Sequence, residues 1–470
     1  MQDDDLNSPR TAADFLPPAP EDLSFTLTDE EIHQVSAAIL AQDSDTVYAF
    51  LDDLNAADTA ELIGKVGDDI RTELLAMYAE VINPEAFTEM DTELARKTLT
   101  AMPSARIASI ITALESDDAL LLIDLLDDDL QRDIIRKLSA KTRMAVEEGL
   151  SFPEDSAGRL MQRELVVIPQ FWTVGKTLDY LRAAAPDLPE DFFDIFVVDP
   201  AYHFKGQIPL NRLVRAGRVQ KIESLISEEI QPIPADMDQE EVTHLFRREN
   251  IVSSPVVDTN GRLLGVITID DIVDVIDDKA QEDILKMGGV GVSDIYRPAL
   301  TTSLVRSQWL GINLLTAFLA SAVVGAFSDT IDKIVALAVL MPIVAGMGGN
   351  AGTQTLAVIV RAIAVRELSG ANTPRAIYKE AAVGFLNGLI FAIVTGGVIA
   401  LWFHDLWLGG VIAIAMIINL MAAGLFGACI PVLLNRLGYD PAISSSIFLT
   451  TVTDIVGFFA FLGLATLFLI

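Results

Sequence analysis

The chain is poor in the residues that build disulfides and histidine-rich metal sites. It contains one cysteine, Cys429, and four histidines among 470 residues. One cysteine excludes an intramolecular disulfide and implies no oxidising compartment. No nucleophile paired with a base, phosphate-binding loop or histidine metal cluster is visible, so the sequence does not predict an enzyme.

Basic residues are scarce as well, with 33 Lys and Arg against 66 Asp and Glu. Residues 301–470 hold seven of each sign, so the whole net charge of −33 lies in residues 1–300. Such a field repels nucleic acid and anionic lipid headgroups and attracts cations. We expect an acidic soluble part joined to a neutral membrane part, with no nucleic-acid partner and with a basic partner or a divalent metal as counter-ion.

The soluble part begins with a tail rich in Pro and Asp, residues 1–22, which we expect to be disordered. It lacks the apolar core of a signal peptide, so this part is expected in the cytoplasm. Residues 23–150 show apolar residues three and four apart, and Asp68-Asp69 is answered sixty residues later by Asp128-Asp129. This favours a stack of helical repeats, with an ordinary helical bundle as the alternative.

Residues 151–270 contain two copies of one sequence pattern, and corresponding residues of the two copies lie 59 positions apart without a gap. Phe196-Val-Val-Asp-Pro recurs as Pro255-Val-Val-Asp-Thr, and Gly206 recurs as Gly265. This region resembles a tandem pair of cystathionine-β-synthase (CBS) domains. In such modules the pattern that Thr268 and Asp271 retain often binds a nucleotide, which makes ATP a candidate ligand of the second repeat only. The alternative is a simple helix cap.

An acidic helix is predicted from Asp270 to about Lys286. Acidic residues fall on one face of it, and like charges three and four apart repel each other. These residues are Asp271, Asp274, Asp278 and Glu282. Few Lys or Arg residues lie between them. The acidic face therefore has two explanations: it binds a cation, or it is simply solvated, which is the usual case.

Five apolar segments follow, each long enough to cross about 30 Å of hydrocarbon. Their approximate bounds are 307–328, 333–364, 377–403, 406–436 and 442–469. Basic residues precede the first segment and lie between the second and third and between the fourth and fifth. The positive-inside rule places those sites and the N-terminus in the cytoplasm, and the C-terminus outside.

The second segment contains Met341 to Thr355, MPIVAGMGGNAGTQT, which is unlike a lipid anchor. Its four glycines and polar side chains indicate close helix packing or an ion path. Asp454 lies in the fifth segment, where an ionisable group is costly and usually functional. Counting residues places Asp454 roughly 18 Å deep and Asn350 roughly 16 Å deep. Bonding of Asp454 to Thr450 or Thr451 is the structural alternative.

The donors around Asp454 are oxygen atoms only, a set that disfavours soft metals and suits hydrated Mg²⁺. A two-fold dimer would pair Asp454 with its symmetry mate. PIVAGMGGNAGTQT, YDPAISSSIFLTTVTDIVG, EDSAGRLM and EDILKMGGV together resemble the MgtE family of magnesium channels, over nearly the whole chain and in the right order.

The resemblance implies a homodimer of multidomain chains: an all-α N-terminal domain, an α/β CBS pair, a plug helix and an α-helical membrane domain of five spans around one pore. The implied boundaries are 23–150, 151–270, 271–305 and 306–470. The implied pore set is Asp454, Asn350, the Thr450 carbonyl, Gly346 and Gly349. The implied cytosolic Mg²⁺-sensing set is Asp271, Asp274, Glu282, Asp283 and Glu240.

The sequence thus predicts a Mg²⁺ importer of the inner or plasma membrane that closes when cytoplasmic Mg²⁺ binds, with Co²⁺ or Mn²⁺ as minor substrates. A proton-coupled carrier and a membrane-anchored nucleotide sensor are the alternatives. Three residues depart from the family pattern. Ile447 replaces a common Pro at the start of the fifth span, and Lys279 and Asn250 occur where the sensing site tends to be acidic.

Overall fold

A computed structural model describes residues 27–189, 192–226, 231–290 and 295–470. The predicted disordered tail, residues 1–22, lies outside them. The chain divides into two compact units, Met1–Val275 and Ile276–Ile470. The fold class is as predicted: an all-α region, two small α/β sheets and a helical region of long apolar helices. The exact domain boundaries stay a prediction.

Nine α-helices, α1 to α9, form the all-α region of the described residues. Their bounds are Asp29–Leu40, Ser44–Asp52, Ala56–Lys65, Asp68–Tyr78, Thr92–Thr100, Ser104–Ala113, Ser116–Asp124, Asp128–Lys137 and Ala140–Gly149. Several begin at a side-chain cap; Thr28 and Glu31, for example, form a reciprocal capping box at α1.

The predicted sixty-residue repeat corresponds to two helix pairs, α3–α4 and α7–α8. Arg71 of α4 donates to the carbonyl of Ile63 at 2.7 Å. Gln131 of α8, sixty residues later, donates to the carbonyl of Ile123 at 3.3 Å. Ile63 and Ile123 are both fully buried. Each pair therefore closes in the same way, with a long polar side chain returning to the preceding helix.

Two three-stranded sheets follow, with strands β1 Val167–Pro169, β2 Asp194–Val198, β3 Phe204–Pro209, β4 Ile233–Pro234, β5 Ser253–Val257 and β6 Leu263–Thr268. In each sheet the first strand pairs in parallel with the second, and the second pairs antiparallel with the third. The second strand is irregular at equivalent places, Val197/Val198 and Val256/Val257. The 59-residue repeat is thus a structural repeat, as the CBS pair requires.

Helices α10 Ala157–Leu160, α11 Val174–Ala183, α12 Leu210–Arg215 and α13 Gln239–Glu249 belong to this repeat region. Helix α14, Ile269–Met287, begins directly after β6 and is the predicted acidic helix. Its N-terminal part belongs to the first compact unit and its C-terminal part to the second.

The second unit contains helices α15 Ala299–Ala326, α16 Ser328–Lys333, α17 Ala336–Ala364, α18 Thr373–Trp402, α19 Leu406–Arg436 and α20 Pro441–Phe468. Five of them, all except α16, are long and apolar enough to cross a membrane. The first begins at 299 rather than 307, directly after Pro298. The second begins at 336 rather than 333, because residues 328–333 form the separate helix α16.

Glycines set the approach of α18 to α19. A Cβ atom on Gly388 would lie 2.9 Å from Ile417 Cα, and one on Gly396 would lie 2.8 Å from Gly409 O. In a bilayer, where lipid is as apolar as leucine, such close backbone contact is a main source of helix association. Helices α18 and α19 therefore form a hairpin that is held together by close backbone contact.

We expect Gly388→Val to lower the thermal unfolding midpoint of the protein in detergent, because the new side chain meets backbone that cannot rotate away. The expected cost is about 1–3 kcal/mol. Gly397→Val is the matched control, since it places the same residue in the same helix where nothing lies within 4 Å. Equal midpoints for the two variants would contradict this packing.

Candidate ion path and acidic cluster

Helix α17 has a packing face and an open face. Gly348, Gly352 and Thr355 are buried, and a Cβ atom on Gly352 would lie 3.0 Å from the Leu449 side chain of α20. Gly346 and Asn350 are exposed, on the other side of the helix. The four glycines therefore serve two purposes: Gly348 and Gly352 pack, whereas Gly346 and Gly349 have nothing within 4 Å of an added Cβ.

Helix α20 is divided in the same way. Leu449, Thr453 and Gly457 are buried, and a spacing of four residues keeps them on one side of the helix. Thr450 is exposed and Asp454 is half-buried, and these two also lie four residues apart. The predicted pore residues Gly346, Gly349, Asn350, Thr450 and Asp454 thus all lie outside the packed faces of the two helices.

The Asp454 carboxylate has no hydrogen-bond donor in the described part of the chain. The two hydroxyls offered as its structural partners turn to the backbone instead: Thr450 donates to Ser446 O at 2.9 Å and Thr451 to Ile447 O at 2.7 Å. The Thr450 carbonyl, a predicted ligand, accepts from the Thr453 hydroxyl at 3.0 Å. The structural alternative, in which the Thr450 or Thr451 hydroxyl bonds to the Asp454 carboxylate, is therefore not what the structure contains.

A second site brings together acids that the sequence did not connect. Glu115, Asp117 and Asp118 lie at the start of α7, and Asp271 lies in the first turn of α14. The carboxyl group of Asp117 lies within hydrogen-bonding range of Asp271. Asp117 Oδ1 is buried and has no hydrogen-bond partner among the described residues. We call these four residues the α7–α14 acidic cluster.

The pKa values in this cluster are strongly raised. Burial, reinforced by neighbouring carboxylates, raises the pKa of Glu115 and of Asp118 to about 7. The same causes raise the pKa of Asp271 to about 6 and that of Asp117 well above its ordinary value. Burial and the neighbouring carboxylates thus destabilise the charged form of every residue in the cluster. A bound cation would offset the repulsion between these carboxylates.

The other predicted sensing residues are spread more widely. Asp274 is exposed, and its charge contributes to the raised pKa of Asp118. Glu282 accepts from Lys279 at 3.1 Å and pairs with Lys286 at 2.8 Å. These lysines outweigh burial and lower its pKa. Asp283 is partly buried in α14, and Glu240 is exposed in the first turn of α13.

The predicted nucleotide residues bond to each other. The backbone N–H of Thr268 donates to Asp271 Oδ2 at 3.3 Å, and its hydroxyl donates to the same oxygen at 3.0 Å. This is the contact by which a carboxylate in the first turn of a helix satisfies the preceding residue. The cap accounts for both side chains, and nucleotide binding stays a prediction.

Oxygen donors dominate both sites. Among the described residues, no three His, Cys, Asp or Glu side chains converge closely enough to hold a metal ion directly. The carboxylates of the α7–α14 acidic cluster are near enough to repel one another, yet among the described residues they do not converge on one bare ion. Mg²⁺ dehydrates reluctantly and is commonly held through its own waters by one or two carboxylates.

Sequence reasoning missed Glu115, Asp117 and Asp118, although the run Glu-Ser-Asp-Asp at the start of the second helical repeat was a visible signal. It also missed two buried polar groups in the apolar helices. Glu380 of α18 is 8% exposed and accepts from the Thr355 hydroxyl at 3.3 Å. Asn419 of α19 is fully buried. Each stands out as a polar residue within an apolar run.

The acidic cluster predicts a pH dependence. Its pKa values in the folded protein, about 6 to 7, exceed the ordinary values near 4, so the folded state binds more protons than the unfolded state between about pH 4 and pH 7. The contact of α7 with α14 should therefore weaken as pH rises through this range. Without metal, hydrogen exchange of amides in Ser116–Asp124 should be faster at pH 8 than at pH 5, after correction for intrinsic exchange rates.

Asp117→Asn should flatten this dependence, because it removes the buried charge without changing the shape. Asp69→Asn is the control, since Asp69 is exposed in the first turn of α4. Protection of α7 that stays constant between pH 5 and pH 8 in the parent protein would show that the cluster is not under electrostatic stress.

Three sequence families match parts of the chain. A family described as MgtE, divalent cation transporter, matches residues 341–464. The MgtE intracellular N domain matches residues 54–155, and the CBS domain matches residues 222–278. The three matches correspond, respectively, to the apolar helices, the helical repeats and the second sheet repeat described above.

Curated relatives match over most of the chain. A magnesium transporter MgtE of Thermus thermophilus is 36% identical over 335 residues, which is 71% of this chain and 74% of the relative. One from Bacillus subtilis is 29% identical over 89% of this chain and 93% of the relative. Among solved structures, a cytosolic domain of the Mg²⁺ channel MgtE in complex with ATP is 28% identical, with a TM-score of 0.48, over 52% of this chain and 99% of that one.

Proposed function

This chain belongs to the MgtE family of divalent cation transporters, and from that premise we propose that it carries Mg²⁺ into the cytoplasm along a path lined by the open faces of α17 and α20. The observation that carries the proposal is the Asp454 carboxylate, which has no hydrogen-bond donor in the described part of the chain. A charge in that position is stabilised by a cation, and the amide and carbonyl oxygens of Asn350 and Thr450, on the same open faces, suit a hydrated one.

The same open faces support a homodimer. In a single chain, Gly346, Asn350 and Thr450 are exposed, and the side-chain amide of Asn350 would find no hydrogen-bond partner in lipid. A second copy related by a two-fold axis would cover these faces and supply a second Asp454. Two carboxylates give a hydrated dication a stronger and more symmetrical site than one.

We expect Asp454→Ala to lower Mg²⁺ uptake into liposomes by about tenfold or more, the change that 1.4 kcal/mol of lost attraction produces. Asp454→Asn should be nearly as damaging, because the amide keeps the shape but not the charge. Asp332→Asn, which alters an exposed acid of α16, is the control for charge removal alone. Uptake near that of the parent by both Asp454 variants would refute the assignment.

The alternatives differ in what the flux depends on. A proton-coupled carrier would use Asp454 as its protonation site, and its flux would follow the external pH steeply. A membrane-anchored nucleotide sensor would bind ATP at Thr268 and Asp271 and carry no ion, so that liposomes containing the parent protein would take up no Mg²⁺. A flux that follows the Mg²⁺ gradient and is insensitive to the pH gradient supports the channel.

Control by internal Mg²⁺ is proposed to act through the α7–α14 acidic cluster. Its members repel one another when deprotonated, and Asp117 Oδ1 is buried without a partner among the described residues. A hydrated Mg²⁺ between α7 and α14 would offset that repulsion and favour the arrangement in which the two helices are in contact. A ligand that binds one arrangement more tightly shifts the equilibrium towards it.

The double variant Asp117→Asn/Asp271→Asn should make uptake insensitive to internal Mg²⁺. Without these two charges the helices no longer repel each other, and Mg²⁺ no longer binds the arrangement with α7 and α14 in contact more tightly than the other. Asp69→Asn/Asp129→Asn removes the same charge from exposed helix N-termini of the same region and should respond like the parent. The measurement is initial uptake against the Mg²⁺ concentration inside the liposome. A double variant that closes over the same range as the parent would exclude this cluster as the sensor.

A further inference from the structure

One amide lies between the two helices that carry the proposed pore residues. Asn419 of α19 is fully buried, and its Nδ2 donates to the carbonyl of Val344 in α17 at 2.8 Å. This hydrogen bond crosses between two membrane-spanning helices. Because a buried amide has few alternatives in an apolar environment, the bond fixes the height and rotation of α17 relative to α19.

The same amide is enclosed by two glycines on different helices. A Cβ atom on Gly348 of α17 would collide with Asn419 Nδ2, and one on Gly457 of α20 would lie 2.8 Å from the same atom. The amide therefore occupies the space that side chains would otherwise fill. A larger residue at either glycine must displace the Asn419 amide, and with it the bond to Val344, or push its own helix away from α19.

Both glycines lie within one helical turn of a proposed pore residue. Gly348 precedes Asn350 by two residues, and Gly457 follows Asp454 by three. A helix is stiff over one turn, so a shift at either glycine carries the neighbouring pore residue with it. Asn419 thus touches both pore helices one turn or less from their proposed ligands, although its own side chain faces away from the ion path.

We infer that Asn419 is a positioning residue for transport, whose amide sets the spacing of α17 and α20 and so the separation of Asn350 from Asp454. This inference rests on the proposed function. Its Oδ1 has no hydrogen-bond partner among the described residues, which costs stability in a buried site. An apolar side chain of similar size would avoid that cost but would provide no bond to α17.

The test is a size-complementation cycle made of Gly348→Ala, Asn419→Ala and the double variant. Gly348→Ala alone should lower Mg²⁺ uptake by about tenfold, a coupling typical of side chains in direct contact. Asn419→Ala alone should loosen the path and raise uptake of the larger Mn²⁺ relative to Mg²⁺. The double variant should recover Mg²⁺ uptake to within about threefold of the parent, because the new methyl group enters the vacated space.

Gly410→Ala, at a site in α19 with nothing within 4 Å, is the control and should leave uptake unchanged. Asn419→Leu keeps the branched shape of the side chain but removes the donor, and it should lower Mg²⁺ uptake even where the protein assembles. Parent-like uptake and Mn²⁺ preference in Asn419→Leu would overturn the inference. A double variant as impaired as Gly348→Ala would overturn it too.

Thermal unfolding midpoints of the same variants in detergent separate this inference from the proposed function. Coupling in both the midpoints and the uptake supports positioning. Coupling in the midpoints alone makes Asn419 a structural residue and overturns the inference. If the parent protein transports no Mg²⁺ at all, the proposed function fails and the positioning role fails with it, while the midpoints still report whether Asn419 contacts Gly348.

Discussion

Negative charge without a positive partner is the constraint on which the rest of this molecule depends. It occurs at Asp454, within an apolar helix, and again in the α7–α14 acidic cluster, where burial and repulsion raise the pKa of Asp118 to about 7. Among the described residues, no Lys or Arg forms an ion pair at either site, whereas Glu282 is paired with two lysines. A dication offsets both deficits. Under the proposed function the transported ion and the controlling ion are therefore the same, which gives feedback without a second ligand.

Protons and metal compete in such a cluster. Because Glu115 and Asp271 titrate at about 7 and about 6, part of the cluster is protonated near neutral pH, and a bound dication must displace those protons. Acidification should then hold α7 and α14 together without metal and reduce the added effect of Mg²⁺. Proton binding and metal binding are linked through one contact, so the apparent affinity for Mg²⁺ should rise with pH.

The sequence was most informative where the pattern is local. The 59-residue spacing predicted two equivalent sheets, and hydropathy predicted the apolar helices to within about eight residues at each start. The contact of Asp117 with Asp271 could not be predicted in this way, because it joins elements 154 positions apart and depends on how the helical region folds against the sheets. Similarly, Gly346 and Gly348 look alike in the sequence. Only the packing of α17 shows that one is open and the other meets Asn419.

That division of α17 explains how a polar segment can exist in an apolar environment. The helix repeats every 3.6 residues, so Gly348 and Gly352 share one side while Gly346 and Asn350 share another. Close packing on the first side secures the helix through backbone contact, which requires no large side chains. The second side does not have to pack against another helix of the chain and can therefore present amide and backbone oxygens to an ion. Under the proposed function, stability and conduction therefore impose their requirements on different glycines of the same fifteen residues.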